Sequence, residues 1–346
     1  MAGRDSRQPY AKLSAMNRML RINTAALLGL LIVARPGGAQ SFEAVGTRAA
    51  GMAGAFVAVA DDGSAAYWNP AGFASGSYFS LVLDRTSSRT SPEGEPTAGS
   101  RSGFLLALGA PALGLSYYRL RATTLRTTDE PSDDRNVRVN SLTTHHVGAT
   151  LVQSIGPGIA VGATLKVVRG LAGSRAGPAD DRDPLLEDGE DLSGLASNRF
   201  DADLGIMATA GRMKAGLTVR NLTQPEFDLS DGGPALRLER QARAGVAVSP
   251  VDGWTVAADL DLIKTTGPHG DVRDFAVGAE GRVARRAFVR AGARVNTVDS
   301  PAVGRTPSVG VGGSYAVTAS VLVDAQVTLG SERAPRGWGV AARFVY

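Results

Sequence analysis

The sequence predicts a fourteen-stranded antiparallel transmembrane β-barrel, all-β in class, with an N-terminal plug in its lumen. After residue 76, the 346-residue chain contains fourteen segments of about 10 residues in which apolar and polar side chains alternate. Tight connections alternate with longer ones, as expected when both chain ends lie on the same side of a membrane. In contrast, the apolar stretch 46–76 follows neither the period of a strand nor that of a helix.

The chain begins with the three parts of a secretory signal. Arg18 and Arg21 precede an apolar run over 22–34, and small residues precede a cut after Ala39. The run is shorter than the roughly 20 residues that cross a bilayer as a helix. We therefore expect residues 1–39 to be a cleaved signal peptide and the protein to reach the outer membrane.

Charge and cysteine content exclude several classes of function. The formal net charge is +4, but residues 1–39 carry a net +5 and leave −1 for the rest. The basic character therefore belongs to the leader, and we expect no nucleic-acid partner. The chain has no cysteine, which excludes thiol catalysis, disulfides and lipid attachment at a lipobox cysteine.

The mature chain is expected to divide into a plug, residues 40–76, and a barrel, residues 77–346. In 254–262, Trp254 and its alternate neighbours are apolar, while Asp259 and Asp261 share the other face. An Arg or Lys facing lipid at mid-membrane costs about 2–4 kcal/mol, so the charged face should look inward. A water-soluble all-β protein with one polar face is the alternative.

The inward positions collect eight acidic and eight basic side chains, a balance that disfavours an ion-selective pore. Such charges should pair with one another or with a plug, because an unpaired buried charge is costly. A fourteen-stranded barrel is too wide for its own side chains to fill, and residues 40–76 would occupy it. The residues expected to pair plug and barrel are Arg48, Asp61, Asp62, Arg290, Arg294, Asp259 and Asp261.

Three stretches carry a family resemblance: Gly46 to Asp62, Ala65 to Gly72 with its Asn-Pro-Ala element, and Gly216 to Leu222. They resemble the outer-membrane long-chain fatty-acid transporter (FadL/TodX) superfamily and its PorV/PorQ-like relatives. The resemblance implies a fourteen-stranded barrel with an N-terminal plug or hatch. It implies passive uptake of hydrophobic small molecules in one branch, and help in secretion or surface attachment of other proteins in the other.

Our first hypothesis is therefore a passive transporter for long-chain fatty acids or aromatic hydrocarbons, gated by the plug. The alternatives are a PorV/PorQ-like barrel with secreted client proteins, favoured by its long outer loops, and a mainly structural barrel. The aromatic side chains of 46–76 and its Asn-Pro turn are the candidate ligand contacts. These residues are Phe56, Tyr67, Trp68, Asn69, Pro70 and Phe73.

No other constellation indicates chemistry. His145 and His146 are adjacent on a strand and should point to opposite faces, so joint metal binding is not expected. We expect no enzyme activity, metal or cofactor. Expected partners are outer-membrane lipid and lipopolysaccharide, a hydrophobic ligand, and the barrel assembly machinery through the strand ending at Tyr346. A side opening, if present, is expected near Gly103, Gly109, Pro111 and Gly114.

Overall fold

The computed structural model describes residues 45–93, 95, 97–127, 136–178, 182–190, 192, 194–229, 231–267, 270–298, 306–331 and 333–346. Fourteen antiparallel strands close into a barrel, which confirms the predicted fold class. No helix within the described residues has the length and apolar character needed to cross a membrane. The predicted signal peptide, residues 1–39, lies outside the described residues.

Each barrel strand pairs with its neighbours along the chain, and the first strand pairs with the last. The barrel strands are β1 Ser80–Thr90, β2 Ala98–Ala110, β3 Leu113–Thr127, β4 Asn136–Gly156, β5 Ile159–Pro178, β6 Leu195–Ala210, β7 Met213–Arg220, β10 Gln241–Val248, β11 Trp254–Asp261, β14 Asp274–Ala284, β15 Ala287–Asn296, β16 Ser308–Ala316, β17 Val321–Gly330 and β18 Arg336–Val345. Two small hairpins lie in the connections: β8 Glu226–Phe227 with β9 Leu236–Arg237, and β12 Thr265–Gly267 with β13 Gly270–Val272.

The connections divide the barrel into two ends. Those of the short-turn end, such as 111–112 and 211–212, have two to five residues, and those of the other, long-connection end have five to twenty. Strands β4 and β5 have 21 and 20 residues, about twice the length of the alternating segments that the sequence predicts. The prediction missed this extension because outside the lipid a strand no longer needs one apolar face.

The segment 45–76, here called the plug, is made of short helical turns. Helix α1 spans Thr47–Gly51, helix α2 spans Ala65–Trp68, and a 3-10 helix spans Pro70–Ser75. The Asn69 side chain accepts a hydrogen bond from the backbone N–H of Ala71 and so caps the 3-10 helix. A third α-helix, α3 Arg182–Glu190, lies in the connection between β5 and β6.

Burial follows the predicted faces of the strands. Trp254, Val256 and Leu260 are exposed on the outside of β11, while Asp259 and Asp261 are buried. The last strand shows the same alternation, with Trp338, Val340 and Phe344 outside and Arg343 buried. The barrel therefore has an apolar outer face and keeps its charges in the lumen, as the alternation predicts.

Candidate functional site: the plug and the barrel wall

The plug lies inside the barrel and fills its lumen. All residues from 45 to 73 are buried except Arg48 and Asp61, which are partly accessible. Phe56, Tyr67 and Trp68 form the centre of the main apolar cluster, with Trp68 in edge-to-face contact with both other rings. The plug is thus the hydrophobic core that a wide barrel otherwise lacks.

Glycines of the wall let the plug backbone approach the strands directly. A Cβ on Gly278 would lie 2.6 Å from the Met52 carbonyl oxygen, and one on Gly216 would lie 2.9 Å from the Val57 carbonyl oxygen. Other glycines of the wall that would meet plug backbone are Gly162, Gly205, Gly292 and Gly310. Any residue with a Cβ at these positions would push the plug away from the wall. This requirement accounts for part of the chain's high glycine content.

The Phe73 ring lies flat against the wall where β2 and β3 lack side chains. Gly109 and Gly114 are register partners, and a Cβ on Gly114 would lie 2.5 Å from Phe73 Cε2. The ladder between β2 and β3 is continuous here, from Gly103 to Ala110. The glycines that we expected beside a side opening are therefore paired in this structure, with Phe73 covering two of them from inside.

Six charged side chains join the plug to the strands β14 to β18 in a closed ring of alternating charge. In order around the ring they are Arg48, Asp62, Arg343, Asp324, Arg290 and Glu280. Arg48 Nε lies 3.0 Å from Glu280 Oε2, and the other five contacts run from 2.6 to 3.3 Å. Every member has two oppositely charged neighbours, which offsets the cost of removing these charges from water.

A second group of contacts holds the plug on the opposite wall. The guanidinium of Arg220 lies over the Tyr67 ring, 3.5 Å from its centroid, a favourable cation–π geometry. Tyr67 also meets Tyr118 edge to face, and Tyr118 stacks on His146. Beside them Lys166 is fully buried between two aspartates of β6, Asp201 and Asp203.

The plug backbone is bonded to the wall between these two groups. Asp259 accepts the backbone N–H groups of Phe56 and Val57, each at 2.8 Å. Arg243 binds Asp261 at 2.6 Å and donates to the Gly54 carbonyl oxygen at 3.1 Å. Such contacts satisfy the orphan backbone groups of the plug, which has too little regular structure to satisfy them itself.

The predicted site residues fall into separate groups in the structure. Phe56, Tyr67 and Trp68 lie in the apolar core, and Asn69 donates to the carbonyl oxygens of Val57 and Ile206. Pro70 begins the 3-10 helix Pro70–Ser75, which contains Phe73. All six proposed ligand residues are buried against other parts of the protein, so a ligand must displace plug contacts to reach them.

The predicted charge pairs are partly rearranged. Arg48 bonds Asp61 and Asp62 within the plug, and it reaches the wall through Glu280. Arg294 pairs with Asp274 on the neighbouring strand rather than with the plug. Alternation also places Glu280 and Arg343 in the lumen, but it does not identify them as plug partners, because it gives the face of a residue and not its depth.

The ring predicts how plug docking responds to acid. Burial acts to raise the pKa of Asp62, but the charges of Arg48 and Arg343 outweigh it and lower that pKa to about 2. A carboxylate with a depressed pKa contributes stability that is complete above its usual pKa of about 4 and is lost as the pH falls through 2. We expect plug docking, measured by Trp68 fluorescence in a Trp254→Phe/Trp338→Phe background, to hold at pH 5 and weaken below pH 4.

The control for this experiment is Asp62→Asn, which removes the titrating group. Its fluorescence should change less between pH 5 and pH 2 than that of the parent. An equal change in both proteins would assign the acid response to another carboxylate.

A small cavity lies between the plug and the short-turn end of the barrel. It has a volume of about 180 Å³ and is lined by Ala58, Val59 and Asp61 of the plug and by wall residues that include Lys214 and Glu280. Ligand pockets usually have about 300–1,000 Å³. The cavity is therefore smaller than a usual ligand pocket.

Comparison with known proteins shows which of them share this architecture. A family model described as "F plasmid transfer operon, TraF, protein" matches residues 118–261, less than half of the chain. No match is found among curated proteins. Among solved structures, the CymD monoaromatic hydrocarbon channel superposes with a TM-score of 0.63 at 14% identity, over 88% of this chain and 98% of that one. The chain has the fold of these hydrocarbon channels.

Two further structures share this hydrocarbon-channel fold. A FadL homologue from Pseudomonas aeruginosa has a TM-score of 0.61 at 12% identity, over 87% of this chain and 98% of its own. The toluene transporter TbuX from Ralstonia pickettii has a TM-score of 0.59 at 14% identity, over 88% and 99%. The resemblance to FadL/TodX-type barrels is thus confirmed for the fold, over 87–88% of the chain.

Proposed function

We propose that the protein is an outer-membrane channel for the passive uptake of hydrophobic small molecules, gated by its plug. The observation that carries this proposal is a fourteen-stranded barrel whose lumen is occupied by a plug fixed to the wall. The three structural relatives are described as a hydrocarbon channel, a FadL homologue and a toluene transporter, which supports a long-chain fatty acid or an aromatic hydrocarbon as the permeant.

The arrangement of the plug supports a gate more than an open pore. Its aromatic rings and its backbone fill the lumen, and the nearby cavity is too small for a long acyl chain. The ring offers polar permeants no free charged group to bind, because each of its members already has two oppositely charged partners. A hydrophobic permeant, by contrast, can replace the apolar contacts that the plug gives up as it shifts.

Uptake of labelled oleate and toluene into proteoliposomes tests the proposal directly. The protein should raise the uptake rate of at least one of these compounds but not that of a sugar. A rate equal to that of empty vesicles for both compounds would contradict a transport function.

Phe73 provides a more specific prediction. We expect Phe73→Ala to raise hydrocarbon uptake several-fold, because it removes the ring that covers Gly109 and Gly114. Phe73→Trp should lower uptake or fold poorly, because no space remains between the ring and the glycines. Tyr78→Ala, at a largely exposed position beside the plug, is the matched control and should leave uptake unchanged. Equal uptake in the Phe73→Ala variant and its parent would show that this contact does not limit passage.

A barrel that assists secretion or surface attachment of other proteins, as PorV/PorQ-like proteins do, is the second candidate. Strands β3, β4 and β5 extend the barrel wall on one side at the long-connection end, and helix α3 packs against them. This structure offers a platform for a client protein. The family model is also named for a plasmid transfer operon rather than for uptake. Secreted proteins that are lost from the cell surface in a deletion strain, with uptake unaffected, would favour this function.

A further inference from the structure

The outer surface of the barrel carries a row of basic side chains on β1, β3 and β5. Arg85 is paired in register with Phe104, Phe104 with Arg119, Arg119 with His145, and His145 with Arg169. These five residues therefore lie side by side across five adjacent strands. Neighbouring strands are about 4.8 Å apart, so the three arginines follow one another at intervals of roughly 10 Å.

Alternation places the row on the face that meets lipid. On β3, Leu115 has the same parity as Arg119 and is exposed, and on β4 Val147 has the same parity as His145 and is 61% exposed. The ladder from β3 to β4 has no register shift, so the face does not change along these strands. Inward neighbours such as Tyr118 and His146 are buried in the lumen.

Arg169, at one end of the row, lies where the apolar band of β5 ends. On β5 the outward residues from Ile159 to Val167 are apolar, and at about 3.4 Å per residue they span about 27 Å along the strand. A strand tilt of about 40° reduces this to about 21 Å, close to the roughly 25 Å height of the apolar band of such barrels. Arg169 is the next outward residue, so it reaches the level of the lipid headgroups. Phe104, a member of the row, and Tyr117 place two neighbouring aromatic rings on the same outer face.

The arginines of this row have no counter-ion in the described protein. Arg85, Arg119 and Arg169 make no hydrogen bond or ion pair with any described residue, and Arg85 and Arg169 are exposed. Higher on the same face the situation differs, because Arg89 approaches Glu187 at 3.7 Å and Arg175 approaches Asp188 at 3.3 Å, both acids being on helix α3. The acids of helix α3 thus pair with Arg89 and Arg175, and they leave the arginines of the row without a counter-ion among the described residues.

Helix α3 packs against the outer face of the barrel, on the long-connection side of the row. Its Leu185 packs against Gly177, and a Cβ on Gly189 would touch Val139 and Thr123, two residues of the outward face. Thr123 lies four residues beyond Arg119, about 13 Å along the strand. The row and the helix are therefore separated by about 13 Å of strand, in which Arg121 donates to Thr143.

We propose that this row binds the phosphate groups of lipid A, the phosphorylated glycolipid of the outer leaflet. A diphosphorylated disaccharide presents two well-separated anionic groups to a row of cations, while its acyl chains cover the apolar residues below. Each arginine near such an anionic surface adds affinity that is largely electrostatic. The inference rests on the proposed outer-membrane location, with the long-connection end outside, and does not depend on transport.

Native mass spectrometry of the purified barrel with added diphosphoryl lipid A tests the site. The variant Arg85→Gln/Arg119→Gln/Arg169→Gln should bind this lipid about 100-fold more weakly, which corresponds to about 1 kcal/mol per arginine. The matched control, Arg212→Gln/Arg282→Gln/Arg285→Gln, removes three exposed arginines at the short-turn end and should bind as the parent does. Both triple variants carry the same net charge, so a general charge effect would lower binding equally.

Two further measurements make the outcome specific. The corresponding triple lysine variant keeps the charges and should retain most of the binding, which also separates the site from a folding defect. Monophosphoryl lipid A should bind more weakly than the diphosphoryl form. Unchanged binding in the glutamine variant, an equal loss in the control variant, or equal competition by phosphatidylglycerol would overturn the assignment to lipid A.

Discussion

Arg48→Met is expected to release one side of the plug and to make its buried residues reactive. The substitution opens the ring at the residue that bonds Asp61, Asp62 and Glu280. Removing one partner of a buried ion pair costs about 3–5 kcal/mol. We expect about 3 kcal/mol, because Asp62 keeps Arg343 as a partner and Glu280 keeps Arg290. The population of the undocked plug should then rise about 100-fold.

The absence of native cysteine makes this measurement clean. An Ala55→Cys reporter stands at a fully buried plug position, and its labelling by a water-soluble maleimide reports undocking. Arg212→Met, which breaks an exposed pair with Asp252, is the matched control and should change labelling little. If Arg48→Met and Arg212→Met label at the same rate, the ring does not hold the plug.

Gly310→Val is expected to drive the plug from its seat and open an aqueous path. A Cβ on Gly310 would overlap the Ala50 carbonyl oxygen and lie 3.1 Å from the Ala53 nitrogen. Overpacking by a side chain usually costs about 1–3 kcal/mol, and here the obstacle is plug backbone that is itself bonded to the wall. The added methyl groups therefore cannot be accommodated by a rotamer change. Liposomes with this variant should swell in arabinose, whereas the parent should remain closed.

Gly313→Val on the same strand is the control. Gly313 is on the outward face, where an added Cβ would meet the Phe288 carbonyl oxygen at 3.1 Å and no plug atom. This variant should leave the barrel closed to arabinose. Swelling with both variants would point to damage to the β16 ladder, and swelling with neither would show that the plug tolerates the added volume.

The barrel could be predicted from the sequence because its dominant forces act residue by residue. A strand between lipid and lumen must alternate, so the strand count and the faces of Asp259 or Arg343 can be derived from period two. The lengths of β4 and β5 could not, because beyond the lipid both faces of a strand are wet and alternation no longer marks its end.

The contacts of the plug were harder to predict for a different reason. That residues such as Arg48 would meet lumen charges followed from burial, but the choice of Glu280 depends on how far along the barrel axis each side chain lies. That depth depends on register, strand tilt and the irregular path of the plug. The contacts of the wall glycines could not be predicted either, because a glycine beneath plug backbone and a glycine in a turn look the same in a sequence.

The positions of the ring members favour one order of barrel assembly. Arg48 and Asp62 belong to the first part of the described chain, while Arg343 belongs to the last strand, which also pairs with β1 to close the barrel. A plug that entered after closure would have to pass a complete cylinder and then find partners on both walls. It is simpler for the plug to lie between the two edges as they meet. The plug would then act as a template for closure, and deletion of the plug would first slow the formation of the barrel.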